Sequence, residues 1–112
     1  MIKRYSIAKE YSKNPGARYK KQGPYSGEDF RATVLVPFFK NKKDGDILEI
    51  DLNDLNGYPS SFFEEAFGGI ARIYKQEDVL KSLKFDCEDN PLFIDDLISY
   101  IKQERASHEK KL

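Results

Sequence analysis

Residues 46–72 read Asp46-Ile47-Leu48-Glu49-Ile50-Asp51-Leu52, then a loop from Asn53 to Pro59, then Ser60-Ser61-Phe62-Phe63-Glu64-Glu65-Ala66-Phe67-Gly68-Gly69-Ile70-Ala71-Arg72. The first seven residues predict a strand. Ile47, Ile50 and Leu52 break strict alternation, the pattern expected of a strand covered on both faces. Phe63, Phe67, Ile70 and Tyr74 recur at helical spacing and predict a helix over 61–75 with these four on one side. Glu64, Glu65, Gly68 and Arg72 then fall on the other. Ser60 and Ser61 sit where that helix begins, at the carboxyl end of a buried strand. Open α/β sheets place ligands there, and free N–H groups together with the helix dipole favour a negative group.

Working outward, residues 4–9 alternate like a short strand, with lysines that suit a sheet edge. Asn14-Pro15-Gly16 is a turn signal, and residues 17–20 are expected to return as a second strand of a hairpin. Ser26 is a predicted N-cap, with Glu28 and Asp29 in the first turn of a helix reaching about Asn41. Phe30, Val34 and Phe38 would form its inner face and Pro37 would kink it near its end; a strand over 33–36 is the rival reading. After a turn at Lys42-Lys43-Asp44-Gly45 and the central strand and helix come a short helix over 77–82 and a strand over 84–88. Asn90-Pro91 then opens a helix with the stripe Ile94, Leu97, Ile98, Ile101. The order β(β)–α–β–α–β–α predicts an α/β fold: a small, mostly parallel sheet of about four strands with helices packed on it. One domain over 1–104 and a flexible tail over 105–112 are expected.

The 112 residues include eight Phe and seven Tyr, enough for a real core. Cys87 is the single cysteine, so no internal disulfide forms and a reducing compartment fits. No run approaches the roughly 18 apolar residues of a membrane helix, and no apolar run follows the charges at Met1–Ser6, so no signal peptide is expected. A cytoplasmic location follows as the expectation. Net charge is zero but segregated: residues 1–45 carry 11 Lys and Arg against 4 Asp and Glu, and residues 46–112 carry 8 against 15. The zero total argues against a dedicated nucleic-acid binder. The basic half nevertheless interleaves three tyrosines with Lys13, Arg18, Lys20 and Lys21 between Tyr11 and Tyr25, a pattern shared by single-strand binders and by exposed hairpins.

No catalytic set can be assembled. Glu64 and Glu65 are adjacent on a helix and point about 100° apart, so they read as a solvated face rather than an acid–base pair. His108 has no second ligand at metal spacing. Cys87 reads as a buried, apolar-like residue. Gly68-Gly69 lies inside a helix, which suits close packing rather than a phosphate loop. Ser61 and Glu64 have the spacing of a capping box. No enzyme activity, metal or cofactor is expected.

The stretch around Ile50-Asp51-Leu52 and Pro59-Ser60-Ser61-Phe62 resembles the STAS domains of anti-sigma-factor antagonists, and more closely the STAS-like family of unknown function. In STAS domains an apolar strand ending in Asp-Leu leads through a short loop to Asp-Ser-Ser-Gly, which opens a helix. Upstream, Ser26-Gly27-Glu28-Asp29-Phe30-Arg31 is similar to the opening of the STAS-like family's first helix. Downstream, Ser61-Phe62 and Glu65 match its second. Pro59 stands where the aspartate would be, and Phe62 where the glycine would be. The resemblance implies a regulatory protein–protein interaction module and a GHKL-type ATPase or serine kinase as partner. It also implies phosphorylation at the second serine, Ser61, so three readings of Ser61 stand: cap, phospho-acceptor, or unmodified contact residue. The implied partner surface is Tyr58, Pro59, Glu64 and Glu65, with Ser26, Glu28 and Arg31 beside it. The alternative is a nucleic-acid-associated accessory protein using the basic half.

Overall fold

Three parallel strands, β1 (Ile2–Ser6), β2 (Ile47–Asp51) and β3 (Leu83–Asp86), lie in the order β1-β2-β3. Ile50 sits between Tyr5 and Phe85, and Asp51 between Ser6 and Asp86. The structure, a computed structural model, describes residues 1–102; the expected tail over 105–112, with His108, lies outside the described residues.

The expected fourth strand is absent because its backbone is engaged elsewhere. The carbonyls of Ala17 and Arg18 accept the N–H groups of Gly27 (2.9 Å) and Glu28 (3.0 Å), two of the orphan donors at a helix start. The segment 17–20 therefore caps a helix instead of pairing in a hairpin, and a single 3-10 turn, Lys20–Gln22, follows it. The first strand also stops earlier than its alternation suggests. Ser6 Oγ accepts the Lys9 N–H at 3.1 Å, and the Glu10 carboxylate accepts the Ser6 N–H at 2.7 Å. This reciprocal cap starts a one-turn helix, α1 (Ile7–Glu10).

Two long helices follow β1 and β2. α2 covers residues 27–41 as an α turn Gly27–Phe30, a π-helical segment Arg31–Leu35 and an α segment Val36–Asn41. Ser26 caps it as expected, its Oγ accepting the Asp29 N–H at 3.0 Å. The helix prevails over the rival strand at 33–36. Pro37 is tolerated where the ladder already runs at π spacing, with the Val36 N–H on the Arg31 carbonyl. That wider turn shifts the inner face: Phe30, Leu35 and Phe39 are buried, while Val34 and Phe38 are only partly so. α3 covers residues 60–73 in the same manner, with Ser60–Phe63, the π segment Glu64–Gly68, and Gly69–Ile73. α4 (Gln76–Ser82) leads into β3. α5 (Phe93–Ile101) follows a tight turn in which the Asn90 carbonyl accepts the Phe93 N–H at 3.0 Å.

The helices lie on one face of the sheet, correcting the expectation of a doubly covered strand. Leu48 and Ile50 are buried, whereas Ile47, Glu49 and Asp51 are partly exposed. On the open face Arg4 reaches Glu49 (2.5 Å), Asp86 (2.7 Å) and Asp51 (3.2 Å), so one guanidinium ties all three strands. The core is aromatic: Phe30, Phe62, Phe63 and Phe67 have no exposed surface. α3 is its axis. Phe62, which stands where the serine motif has its glycine, is buried, with its ring centroid 5.6 Å from that of Phe30 and 5.0 Å from that of Phe63.

Such packing requires α2 and α3 to touch backbone to backbone. A Cβ on Gly27 would collide with the Phe62 carbonyl and lie 2.9 Å from Glu65 Cβ. Gly57, in the loop before α3, has open space around the same position. Gly27→Ala is therefore expected to cost about 2–3 kcal/mol through overpacking, while Gly57→Ala is neutral or stabilises by up to about 0.5 kcal/mol. Urea unfolding of both variants checks the contrast.

Candidate functional site

The loop between β2 and α3 is held at both ends. Asp51 Oδ1 accepts from the Asn53 backbone (2.9 Å) and side-chain amide (2.8 Å), and Asn53 Oδ1 accepts the Glu88 N–H at 2.8 Å. Asn56 donates from its backbone to the Lys13 carbonyl and from its side chain to Asn14, each at 2.9 Å. Asp54 adopts a left-handed conformation, φ 70°, at a cost of about 1 kcal/mol. Tyr58 closes the loop. Its ring packs on Phe93 (4.8 Å between centroids), and its hydroxyl, pushed up to about 12 by its bond with the Cys87 thiol and by partial burial, lies 3.5 Å from that sulfur. Cys87 is buried, as read from sequence.

α3 opens one residue earlier than predicted, at Ser60, with Pro59 in the N-cap position and no side-chain cap. The capping box of Ser61 and Glu64 is thus overturned: Ser61 lies inside the first turn and the Glu64 carboxylate is held by arginines. Ser60 and Ser61 are both exposed, and neither hydroxyl has a hydrogen-bond partner among the described residues. Pro59 and Tyr58 are half-buried beside them.

The acidic pair is no solvated face. Glu65 is 8 % exposed, and Glu64 is half-buried. Arg31 Nη1 donates to the Glu65 carboxylate (2.6 Å) and to the Glu65 main-chain carbonyl (2.8 Å). Arg18 bridges Glu64 and Glu65, and Arg72 Nη2 reaches Glu64 Oε2 at 2.7 Å. Burial pushes the Glu65 carboxyl up, but the hydrogen bond and charge of Arg31, then Arg18 and Arg72, outweigh it and hold the group below its ordinary range. Gly69 makes room for the Arg31 side chain, and Gly68 for the Tyr100 carbonyl of α5, so the glycine pair serves close packing as predicted.

Of the remaining predicted surface residues, Ser26 is fully buried and serves as a cap. Arg31 is bound to Glu65. Glu28 is half-buried and accepts the Lys20 N–H at 2.9 Å. The contact of Gly27 with Phe62 does bring the two helix starts side by side. The sequence links Arg31 and Arg72 to the paired carboxylates only as the disfavoured set of a small enzyme, and it gives no sign that Arg18 joins them. The signal was present in part, because Glu64, Glu65, Gly68 and Arg72 share one side of α3 in sequence.

Three parallel strands with the helices on one face, and a helix headed by exposed serines after the central strand, define a small two-layer α/β domain. The chain belongs to the family described as STAS-like domain of unknown function (DUF4325), whose model matches residues 26–92. Comparison with curated proteins and with solved structures gives no match. Among the described residues no helix is long and apolar enough to cross a membrane, and no group of His, Cys, Asp and Glu is arranged to hold a metal.

Glu65→Gln leaves Arg31 without its counter-charge and is expected to cost about 2–3 kcal/mol at pH 7, less than a fully buried pair would because Arg31 keeps 19 % side-chain exposure. The sign with pH is fixed. A carboxyl whose folded pKa lies below its ordinary 4.5 stabilises the fold above that value and loses the contribution as pH falls through the folded pKa. The wild type should therefore lose stability more steeply below pH ~4.5 than Glu65→Gln, a difference that denaturant midpoints across pH 2–7 would resolve.

Proposed function

We propose that the protein is a regulatory protein–protein interaction module whose contact surface is the rim formed by Tyr58, Pro59, Ser60 and Ser61. The observation that supports this reading is the contrast within α3. From Phe62 to Ala71 the helix is buried but for half-buried Glu64, while its first two residues are exposed with unengaged hydroxyls. Pro59 supplies no side-chain cap, so the first-turn N–H groups have no side-chain acceptor there. A phosphate on Ser61 would place about −1.5 to −2 charges at this positive end. The neighbouring glutamates, which would otherwise repel it, are neutralised by Arg18, Arg31 and Arg72. In this reading a GHKL-type ATPase or serine kinase binds the rim and phosphorylation releases it.

The rival reading, nucleic acid on the basic half, finds support in the exposed rings of Tyr19 and Tyr25 beside Lys20 and Lys21. It loses Arg18 to the glutamates and Tyr11 to a 2.6 Å bond with Asp29. A salt-dependent mobility shift on single-stranded DNA would favour it.

Wild type, Ser61→Ala and Ser61→Asp used as baits in native extract, with intact-mass analysis of each recovered bait, decide the matter. An ATPase partner held by wild type and lost at least tenfold with Ser61→Asp is the expected result, together with a phosphate-sized mass gain missing from Ser61→Ala. Equal partners for all three and no mass gain would overturn the phospho-switch.

A further inference from the structure

Away from the serine rim, β1 forms an edge of the sheet. The Met1 carbonyl accepts the Ile47 N–H at 2.9 Å, which sets the parity of this parallel ladder. Lys3 and Tyr5 bond inward to β2, so Ile2 and Arg4 direct their N–H and C=O groups outward. No described residue meets them. The edge ends at Ser6, whose N–H is taken by Glu10. Alongside the strand runs a groove of about 390 Å³ between β1 and α2, lined by Tyr5, Val34, Pro37 and Phe38 and entered past Lys3 and Lys42. Neither lysine makes an ion pair among the described residues. The one carboxylate at the groove, Asp46, already accepts from the Met1 amine (3.1 Å) and the Lys43 N–H (2.9 Å). This strand also lies outside the residues 26–92 matched by the family model.

We propose that the β1 edge binds an extended segment of a partner protein that carries an acidic residue two positions from a large apolar one, on the same face of the strand. The segment adds as a fourth strand through the Ile2 and Arg4 main chain. Its apolar side chain fills the groove over Val34 and Phe38, and its carboxylate meets Lys3 and Lys42. Addition of a strand to an open edge supplies main-chain affinity, and pockets for alternate side chains supply selectivity. Charge decides the occupant. A lysine turned inward at an edge is a device against indiscriminate strand pairing. A second copy would bring Lys3 and Lys42 against their own kind, so the same cations that exclude self-association admit an acidic strand.

Selection of random octapeptides displayed against the full chain tests this. The expected consensus places a large apolar residue and Asp or Glu two positions apart, so that both face the groove. A synthetic consensus peptide should lose at least tenfold in affinity against a Lys3→Glu, Lys42→Glu double variant. N-methylation of the peptide should abolish binding at residues of one parity and spare the other, a readout that leaves the protein's own fold untouched. The proposal is overturned if no peptide enriches, if the consensus lacks acids, if the charge-reversed variant binds as well, or if sedimentation shows a dimer closed through β1.

Discussion

Everything in this fold is arranged around one guanidinium between two helices. Arg31 lies on α2 and holds both the carboxylate and the main-chain carbonyl of Glu65 on α3. A buried carboxylate is costly unless it is paired and hydrogen-bonded, and Glu65 receives Arg31 on one oxygen and Arg18 on the other. The carbonyl bond is equally informative. In the π segment of α3 the backbone ladder is re-spaced, and Arg31 provides a donor within that stretch. Ion pair, π turns and glycine contacts are therefore one solution: the helices approach closely enough for Gly27 to touch Phe62, and Gly69 leaves room for the arginine.

That approach fixes what the rest of α3 can do. With Phe62, Phe63, Ala66, Phe67 and Ile70 buried among α2, α5 and the sheet, α3 has almost no free side. Its exposed residues are Ser60 and Ser61 at its start and Arg72 and Ile73 at its end, and the loop before its start is pinned by Asn53 to the exit of β3 and by Asn56 to residues 13 and 14. The serines are thus presented by a rigid frame rather than by a mobile loop, which suits recognition that depends on shape.

The element order apart from the strand expected at 17–20, the central strand, the Ser26 cap, the family and the packing role of Gly68 and Gly69 were legible in the sequence. Periodicity and cap chemistry are local signals and survive folding. Two of the failures were non-local. Residues 17–20 have strand composition, yet their carbonyls are needed by the start of α2. Glu64-Glu65 looks solvated until Arg18, 46 residues away, is seen to arrive. The inner face of α2 was misplaced because a 3.6-residue template cannot anticipate a π turn, which moves the buried positions from Val34 and Phe38 to Leu35 and Phe39. Ser61 and Glu64 matched a capping box by spacing alone, while the helix began one residue earlier and the arginines claimed the glutamate.

The Arg4 bridge across the open sheet face bears on the order in which this chain acquires its shape. Arg4 and Glu49 are 45 residues apart, and Arg4 and Asp86 are 82 apart. No strand pair here can be joined by a hairpin, so each ladder waits for a helical crossover to close. Contacts of such separation slow folding relative to local ones. During synthesis β1 emerges first but has no neighbour until the whole of α2 and β2 has followed. The sheet is complete only once β3 has been made, and the Arg4–Asp86 contact cannot close before then.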